Sequence, residues 1–479
     1  MEIQRLSGKS KLSYALGAVG KDMVYMLSAS YILYYYEDLL NVDPIVMSLI
    51  IMIARVFDAF NDPIMGTVVA RTRTRWGMFR PWLMIGTLTN AVVLFLMFAA
   101  PPRMDAAGLT AYAAVFYILW GVTYTIMDIP YWSMIPAFTK GGKERENLTT
   151  IARTAAGVGA AIITVATMKV VPWLGSLFAA ENAGAQAIEI EGFKWFSLVV
   201  GVIFIVFITL TCVNVKEKST TEMKSASVKE MFKALIQNDQ AMTVTVAIVL
   251  VNCAVYITSN LVIYFFKYDF GTTGWHDAYV LFNTFGGAVQ VLSMMLFYPL
   301  LRKKFSNLRI FDICLGLAVL GYLVLLGLAF TNMSSVFLLF IPGFCIFAAN
   351  GILTVITTVF LANTVDYGEL KNRRRDESVI FSMQTFVVKL ASGVAILATG
   401  ICLKLNNLKQ DDKITEEMKK VDWSQGVSAA AKTGLRMTMT VIPILGLIVA
   451  FLWFRKKYIL TDQKVEEITE EVKKQHAAE

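Results

Sequence analysis

Apolar residues fill this chain in long runs, and polar residues gather in the gaps between them. A helix that crosses a bilayer needs roughly 20 predominantly apolar residues. Runs of that kind begin near Leu12, Pro44, Pro81, Leu109, Thr150, Phe193, Met242, Ala278, Leu308, Ser335, Val379 and Thr433. The pattern predicts twelve spans in an all-α polytopic membrane protein. The widest polar gap, from Lys216 to Gln240, divides them into two sets of six. The expected organisation is a six-helix bundle over 1–214, a middle loop over 215–240, a second bundle over 241–457 and a tail over 458–479. Within the loop, VKEMFKALIQ is amphipathic and suits the membrane surface. The tail KVEEITEEVKKQ reads as a solvated charged helix with no part in a site.

Composition adds an orientation. The 479 residues are 56% hydrophobic and 17% charged, against about 25% charged in a soluble domain. Mean hydropathy is +0.58. The net charge of +8 does not point to nucleic acid, because the basic residues sit in alternate loops. Arg71, Arg73, Arg75 and Arg80 follow the second span, and Lys140, Lys143 and Arg145 the fourth. Lysines follow the sixth, Arg302 to Arg309 the eighth, and Lys371, Arg373, Arg374 and Arg375 the tenth. The positive-inside rule makes those loops and both termini cytoplasmic, in a bacterial-type inner or plasma membrane. The first apolar run holds Lys21 and Asp22 and lacks a small-residue cleavage site, unlike a removable signal. Five scattered cysteines have no metal or redox spacing. The histidines, His276 and His476, lie outside span cores, which excludes an intramembrane histidine relay.

An ionisable side chain at bilayer depth costs at least ~2.5–3.5 kcal/mol, so each is a functional candidate. The first half holds Lys21, Asp22, Arg55, Asp58, Asp62, Asp128 and Arg153, and the second essentially Lys389. In RVFDAFNDPIMG, Asp62 lies about 40° round the helix from Asp58, and Asn61 about 60° the other way. Two carboxylates and an amide oxygen form a hard ligand set suited to a monovalent cation. A shared proton is the alternative, because adjacent carboxylates in low dielectric raise one pKa. Asn61 favours Na⁺, since a proton has no use for a neutral oxygen. Arg55, one turn earlier, is a competing partner, but one ion pair leaves the second aspartate unexplained.

In TYTIMDIPYWSMIP, Thr125, Asp128 and Trp132 share a face. A carboxylate accepts from vicinal hydroxyls and an indole stacks on the C–H face of a sugar, which suits a polyol. Arg153 and Asp22 are placed to complete a polar clamp; a simple Asp128–Arg153 pair is the competing reading. In FSMQTFVVK, Gln384 and Thr385 precede Lys389 by about a turn, and Lys389 is a candidate to compensate the Asp58 and Asp62 charges. The halves echo each other: KGGKEREN precedes the span with Arg153, and KNRRRDES precedes the span with Lys389. Duplicated six-helix halves are a common transporter plan.

The stretches KLSYALGAVGKD, DAFNDPIMG, RTRWGMFRPW, YILWGVTYTIMDIPYWSMIP, VDYGELK and QTFVVK together resemble the glycoside–pentoside–hexuronide:cation symporters, most of all the melibiose:sodium branch. The resemblance implies a major-facilitator fold and uptake of a melibiose- or α-galactoside-like sugar with Na⁺, working as a monomer without another cofactor. It implies a cation site at Asp58, Asn61, Asp62 and Thr125. It implies a sugar site at Lys21, Asp22, Tyr124, Asp128, Trp132, Arg153, Gln384, Thr385 and Lys389. It marks Arg75, Asp366, Glu369 and Arg374 as cytoplasmic gating elements, to which Arg55 and Arg145 add as members of a charge network. That branch has a tryptophan where Thr354 stands and an acid where Asn363 stands, so one wall of the cavity differs and the particular sugar is open. The expected coupling ion is Na⁺, with Li⁺ or H⁺ as competitors. Rival readings are a proton-coupled carrier of a hexuronide, pentoside or nucleoside, and an Mg²⁺-dependent intramembrane prenyltransferase. The latter lacks a second aspartate-rich motif.

Overall fold

The computed structural model describes residues 6–101, 104–138, 142–180, 183–215, 217, 228–270, 275–331, 333, 335–372, 377–408 and 423–478. Among these the regular elements are helices. The first compact unit holds α1 (Gly8–Tyr34), α2 (Pro44–Arg71), α3 (Arg80–Met97), α4 (Ala106–Ser133), α5 (Gly142–Phe178) and α6 (Ala185–Asn214). The second holds α7 (Val228–Gln237), α8 (Asp239–Phe265), α9 (Trp275–Leu292), α10 (Asn307–Thr331), α11 (Val336–Asn372), α12 (Glu377–Leu405), α13 (Ala429–Lys457) and α14 (Asp462–Ala478). A π-turn at Ser293–Phe297 carries α9 on to Arg302. Among the described residues, 11 helices are long and apolar enough to cross a membrane. The 27-residue α1 is long enough too, and its hydropathy is lowered by Lys21 and Asp22.

The helices start where the sequence supplies caps. Ser7 accepts from the Ser10 amide at 3.1 Å. Asp43 accepts from Ile45 at 3.0 Å just before Pro44, whose missing N–H costs nothing there. Asp105, Asn238 and Ser428 cap α4, α8 and α13 in the same way. At the other end of α3, tyrosine hydroxyls take up carbonyls that a helix terminus leaves orphaned. Tyr36 and Tyr35 donate to Met97 and Phe98 at 2.8 Å, and Tyr112 donates to Leu96 at 2.6 Å.

In the first unit α1 packs on α5 and α6, α4 on α2 and α3, and α6 on α3 and α5. Glycine allows the closest of these approaches. A Cβ at Gly159 would stand 2.3 Å from the Val19 carbonyl oxygen, and one at Gly175 would stand 1.8 Å from that of Ile188. The pairings recur six spans later: α8 packs on α12 and α13, α11 on α9 and α10, and α13 on α10 and α12. A π-turn follows α1 at Tyr35–Leu39, and another follows the equivalent α8 at Phe266–Phe270. The echo in the sequence is therefore an echo of architecture.

Two readings change. The segment after α13 does not simply extend into water. Leu460 and Ile468 are buried, α14 packs on α11, and Asp462 meets Arg302 at 2.8 Å. Besides Lys389, the second unit holds charged pairs near the ends of its spans that the sequence reading passed over. Asp269, whose side chain is 0% exposed, takes both Arg436 Nε at 2.7 Å and Arg436 Nη2 at 2.6 Å. Lys267 is buried beside it, and Asp312 pairs with Arg455.

Just beyond α6, Glu217 closes the start of α3. Its carboxylate accepts from the amides of Met78, Phe79 and Arg80 at 2.6, 3.1 and 3.2 Å. The preceding Gly77 holds φ at +112°, which only glycine adopts readily. The orphan donors and the positive end of the helix dipole both favour an anion there. Glu217→Ala should cost about 1–3 kcal/mol, read as a lower melting temperature of the purified protein, with Glu217→Gln recovering part of it. Equal melting of Glu217→Ala and the parent would show that the cap contributes nothing.

Candidate functional site

The aspartates of α2 face away from its exposed stripe. Ile53, Phe57, Phe60 and Ile64 are 50%, 47%, 46% and 61% exposed and share one side, while Arg55 and Asp58 are buried on the other. Asp62 is half-buried. Asn61 is half-buried as well and falls at the edge of the exposed stripe, about 60° from Asp58.

One face of α4 receives these groups. Gly121, Thr125, Asp128 and Trp132 recur at helical spacing. A Cβ at Gly121 would stand 2.4 Å from Asp58 Oδ1, so the absence of a side chain there makes room for the carboxylate. Thr125 Oγ1 donates to Asp62 Oδ1 at 3.2 Å. The hydroxyl keeps its lone pairs, so the site has two carboxylates and a neutral oxygen from a second helix. Among the described residues no cluster of three His, Cys, Asp or Glu could hold a metal ion. The set has the low charge that suits a monovalent cation.

About one turn further along α4 the chemistry changes. Lys21 Nζ of α1 lies 2.8 Å from Asp128 Oδ1 and 2.9 Å from Asp22 Oδ2. The lysine side chain is only 4% exposed and the aspartates are 27% and 22% exposed, so the cation lies beneath two partly open carboxylates. Tyr124 Oη accepts from Lys21 Nζ at 3.3 Å. Trp132 spreads alongside, its ring 5.0 Å from Lys21 Nζ and 3.9 Å from the Arg153 guanidinium carbon. Carboxylates, two cations and an indole face together offer hydroxyl acceptors, hydroxyl donors and a stacking surface. Asp128 pairs with Lys21, and Arg153 stacks on Trp132 instead of forming the expected alternative pair with Asp128.

An antiparallel ladder sets this register. Tyr14 donates to the Tyr131 carbonyl at 2.5 Å, Tyr131 donates back to the Tyr14 carbonyl, and the rings stack at 4.4 Å. About two turns along, Lys21 meets Tyr124. One turn beyond that, Tyr25 meets Trp120 at 6.2 Å, and the Arg55 guanidinium carbon lies 5.4 Å from the Tyr25 ring.

The remaining predicted residues lie elsewhere. Gln384, Thr385 and Lys389 are on α12 of the second unit, where Gln384 Nε2 donates to Thr358 at 3.4 Å. Asp366 is half-buried and Glu369 buried in the last turns of α11. Arg75 is exposed in the loop after α2. The side chain of Arg145, and Arg374 altogether, lie outside the described residues. The second unit also encloses an aromatic-lined cavity between α8, α9, α10, α11 and α13, including Phe282, Phe347, Asn283 and Asn350, and none of the predicted α12 residues line it. Sequence reasoning missed Asp269 and Arg436. The signal was available: YYYEDL at the end of α1 and YFFKYDF at the end of α8 end alike.

The family model described as MFS/sugar transport protein matches residues 13–462. The chain belongs to that family. It is an integral membrane transporter, which removes the prenyltransferase reading. A lactose permease of Lactobacillus delbrueckii subsp. bulgaricus is 27% identical, with 97% of this chain and 72% of the relative aligned. A raffinose carrier protein of Pediococcus pentosaceus is 26% identical over 97% of this chain and 71% of its own length. An isoprimeverose transporter of Lactiplantibacillus pentosus is 26% identical over 91% and 85%. Solved structures show the same fold. A bacterial homologue of the lysosomal transporter Spinster superposes with a TM-score of 0.65 at 13% identity, covering 94% of this chain and 96% of that one. A D-xylose–proton symporter gives 0.57 at 13% identity, covering 92% and 96%.

Lys21→Met in the transporter leaves Asp22 and Asp128 facing each other without a cation. The loss should be about 3 kcal/mol, since breaking a buried pair strands a charge. Adding Asp128→Asn should restore part of the melting temperature. A double variant no more stable than Lys21→Met would show that the charge contact is not what matters.

Proposed function

We propose that the chain takes up a sugar together with a monovalent cation by alternating access, in a cell membrane with both termini cytoplasmic. The cation sits at Asp58, Asp62 and Thr125, and the sugar at Asp22, Asp128, Trp132, Arg153, Lys21 and Tyr124, completed by Gln384, Thr385 and Lys389. The observation that carries this reading is the shared face of α4. Thr125 bonds the cation-type carboxylate Asp62, and Asp128 and Trp132 stand on the same stripe beside Lys21 and Arg153. A cation that draws Asp62 and Thr125 together orders the helix that presents the sugar groups, so each ligand must favour the other reciprocally. Na⁺ is the preferred ion. Support for it comes from the neutral oxygen of Thr125 more than from Asn61 at the stripe edge. The sugar is a galactoside of the melibiose type, a chemistry shared with the lactose and raffinose in the names of two relatives. Asp366, Glu369, Arg374, Arg75, Arg55 and Arg145 act as the charge network that opens and closes the path.

Calorimetry of the purified transporter with melibiose, raffinose, lactose and a xyloside, with and without Na⁺, tests the reading. Na⁺ should tighten binding of the galactosides, with Li⁺ and a lowered pH as comparison arms. Asp58→Cys should lose the Na⁺ effect; unchanged stimulation sinks the site. Gly121→Ala puts a methyl where Asp58 Oδ1 now lies, and should raise the Na⁺ concentration for half-stimulation about tenfold or more, the equivalent of ~1.4 kcal/mol. Uptake indifferent to Na⁺ but abolished by collapsing a proton gradient would instead favour the proton-coupled carrier.

A further inference from the structure

α7 is the one described helix that joins neither a bundle core nor the chain's end. Leu235 is buried against the second unit. On the other side Lys229 and Lys233 are exposed, Phe232 is 43% exposed and Ile236 is 72% exposed. Positions 229, 232, 233 and 236 share one helical face. That face therefore alternates cationic heads with apolar side chains.

Its placement is fixed by the corner that follows. Asn238, 2% exposed, separates α7 from α8. It accepts from the Ala241 amide at 3.0 Å and donates to the Thr364 carbonyl of α11 at 2.7 Å. Its amide nitrogen would lie 2.5 Å from a Cβ at Gly368, between Tyr367 and the buried Glu369. Asp239 takes the Lys371 ammonium at 2.5 Å and the Tyr367 hydroxyl at 3.1 Å, both on α11. α7 also packs on α12, where the Phe232 ring meets that of Phe386 edge-on at 5.8 Å. Phe386 follows Thr385 and precedes Lys389 by about a turn. Because α8 begins a membrane-spanning stretch at Asp239, α7 lies at the boundary of the apolar slab.

The mixed face identifies its partner. A soluble acidic surface would pair with the lysines and leave Ile236 in water, and a free anion would ignore both apolar residues. The interface of a bilayer takes apolar side chains into the acyl boundary and cationic heads at the level of anionic headgroups. We propose that α7 binds the anionic lipids of the adjoining leaflet, and that the Asn238–Asp239 corner and the Phe232–Phe386 contact pass that binding to α11 and α12. Bilayer composition then biases the ends of the two helices that carry Asp366, Glu369, Gln384, Thr385 and Lys389.

The test uses the full chain in phosphatidylcholine nanodiscs with and without phosphatidylglycerol, read by amide hydrogen exchange over 228–237 and over 380–390. Neither readout needs a sugar, so it stands or falls apart from the transport reading. Each lysine near an anionic surface is worth about fivefold in affinity. Phosphatidylglycerol should therefore slow exchange in 228–237 at least about fivefold, and should slow 380–390 with it. K229Q/K233Q should exchange alike in both lipids. Phe386→Ala, which leaves the face of α7 intact, should keep the response of 228–237 and lose that of 380–390. A response retained by the double lysine variant overturns the headgroup assignment. Protection equally well supplied in phosphatidylcholine by inorganic phosphate or a polyglutamate peptide overturns the lipid surface as partner. A response of 380–390 that survives in Phe386→Ala, or is absent from the parent, overturns the link to α12.

Discussion

The first unit is organised around one ammonium group that cannot reach water. Lys21 is 4% exposed in its side chain, and moving such a charge out of water costs several kcal/mol unless it is paired. Asp22, the next residue, takes only one of the ammonium's three N–H donors, and a buried donor left unmet is costly. Asp128 must therefore come from another helix, and α4 must be held where its carboxylate falls 2.8 Å from the ammonium. The reciprocal Tyr14–Tyr131 hydrogen bonds and the Tyr25–Trp120 contact bracket that point from both sides. A slip by one residue would turn Asp128 about 100° away from α1. The aromatic ladder and the ion triad enforce the same register, which is how a helix pair with few polar residues specifies a single alignment.

The same rigidity makes α4 a conduit. Asp58 fits against it only because residue 121 has no side chain, and Asp62 is held to it by one hydroxyl. Both are contacts to α2. The contacts of Asp128 and Trp132, on the same stripe, are to α1 and to Arg153 of α5. On the proposed reading, a cation on α2 therefore reaches the helix that carries Asp128 and Trp132 without a moving loop between them. The energetic requirement is modest, since typical couplings between sites are about 1–3 kcal/mol. One charge-assisted hydrogen bond made or released is of that size.

What was legible in the sequence was what helical periodicity can carry. Asp58 and Asp62 could be placed on one side of α2, and Thr125, Asp128 and Trp132 on one side of α4, from spacing alone. The same reading set Arg153 and Asp22 beside that face as a clamp, and the family resemblance added Lys21 and Tyr124; the structure brings these side chains together. Pairing across helices was not legible by spacing. Both Lys21 and Arg153 were available to Asp128, and only the register of α1 against α4 decides between them. Asn61 shows the limit of angular reasoning: its offset from Asp58 is as expected, yet that offset points toward the exposed stripe. Gly121 could not be recognised at all, because its role lies in what it leaves empty. Asp269 and Arg436 escaped because each lies near the end of its span, where a charge passes as interfacial.

The duplicated architecture sharpens why the two units differ in chemistry. Asp269 is the fourth residue of the π-turn after α8 as Asp38 is of the one after α1, and the helix pairings repeat. In the second unit, however, both oxygens of Asp269 are taken by the two N–H groups of a single guanidinium. Such a bidentate pair satisfies itself, and the fully buried carboxylate has no open edge for a ligand. In the first unit, the carboxylates of Asp22 and Asp128 share one ammonium and are 22% and 27% exposed. The ammonium serves both carboxylates with its three donors and leaves each with further lone pairs. Those partly exposed acceptors suit the hydroxyl groups of the proposed sugar, whereas the closed pair of the second unit serves the fold.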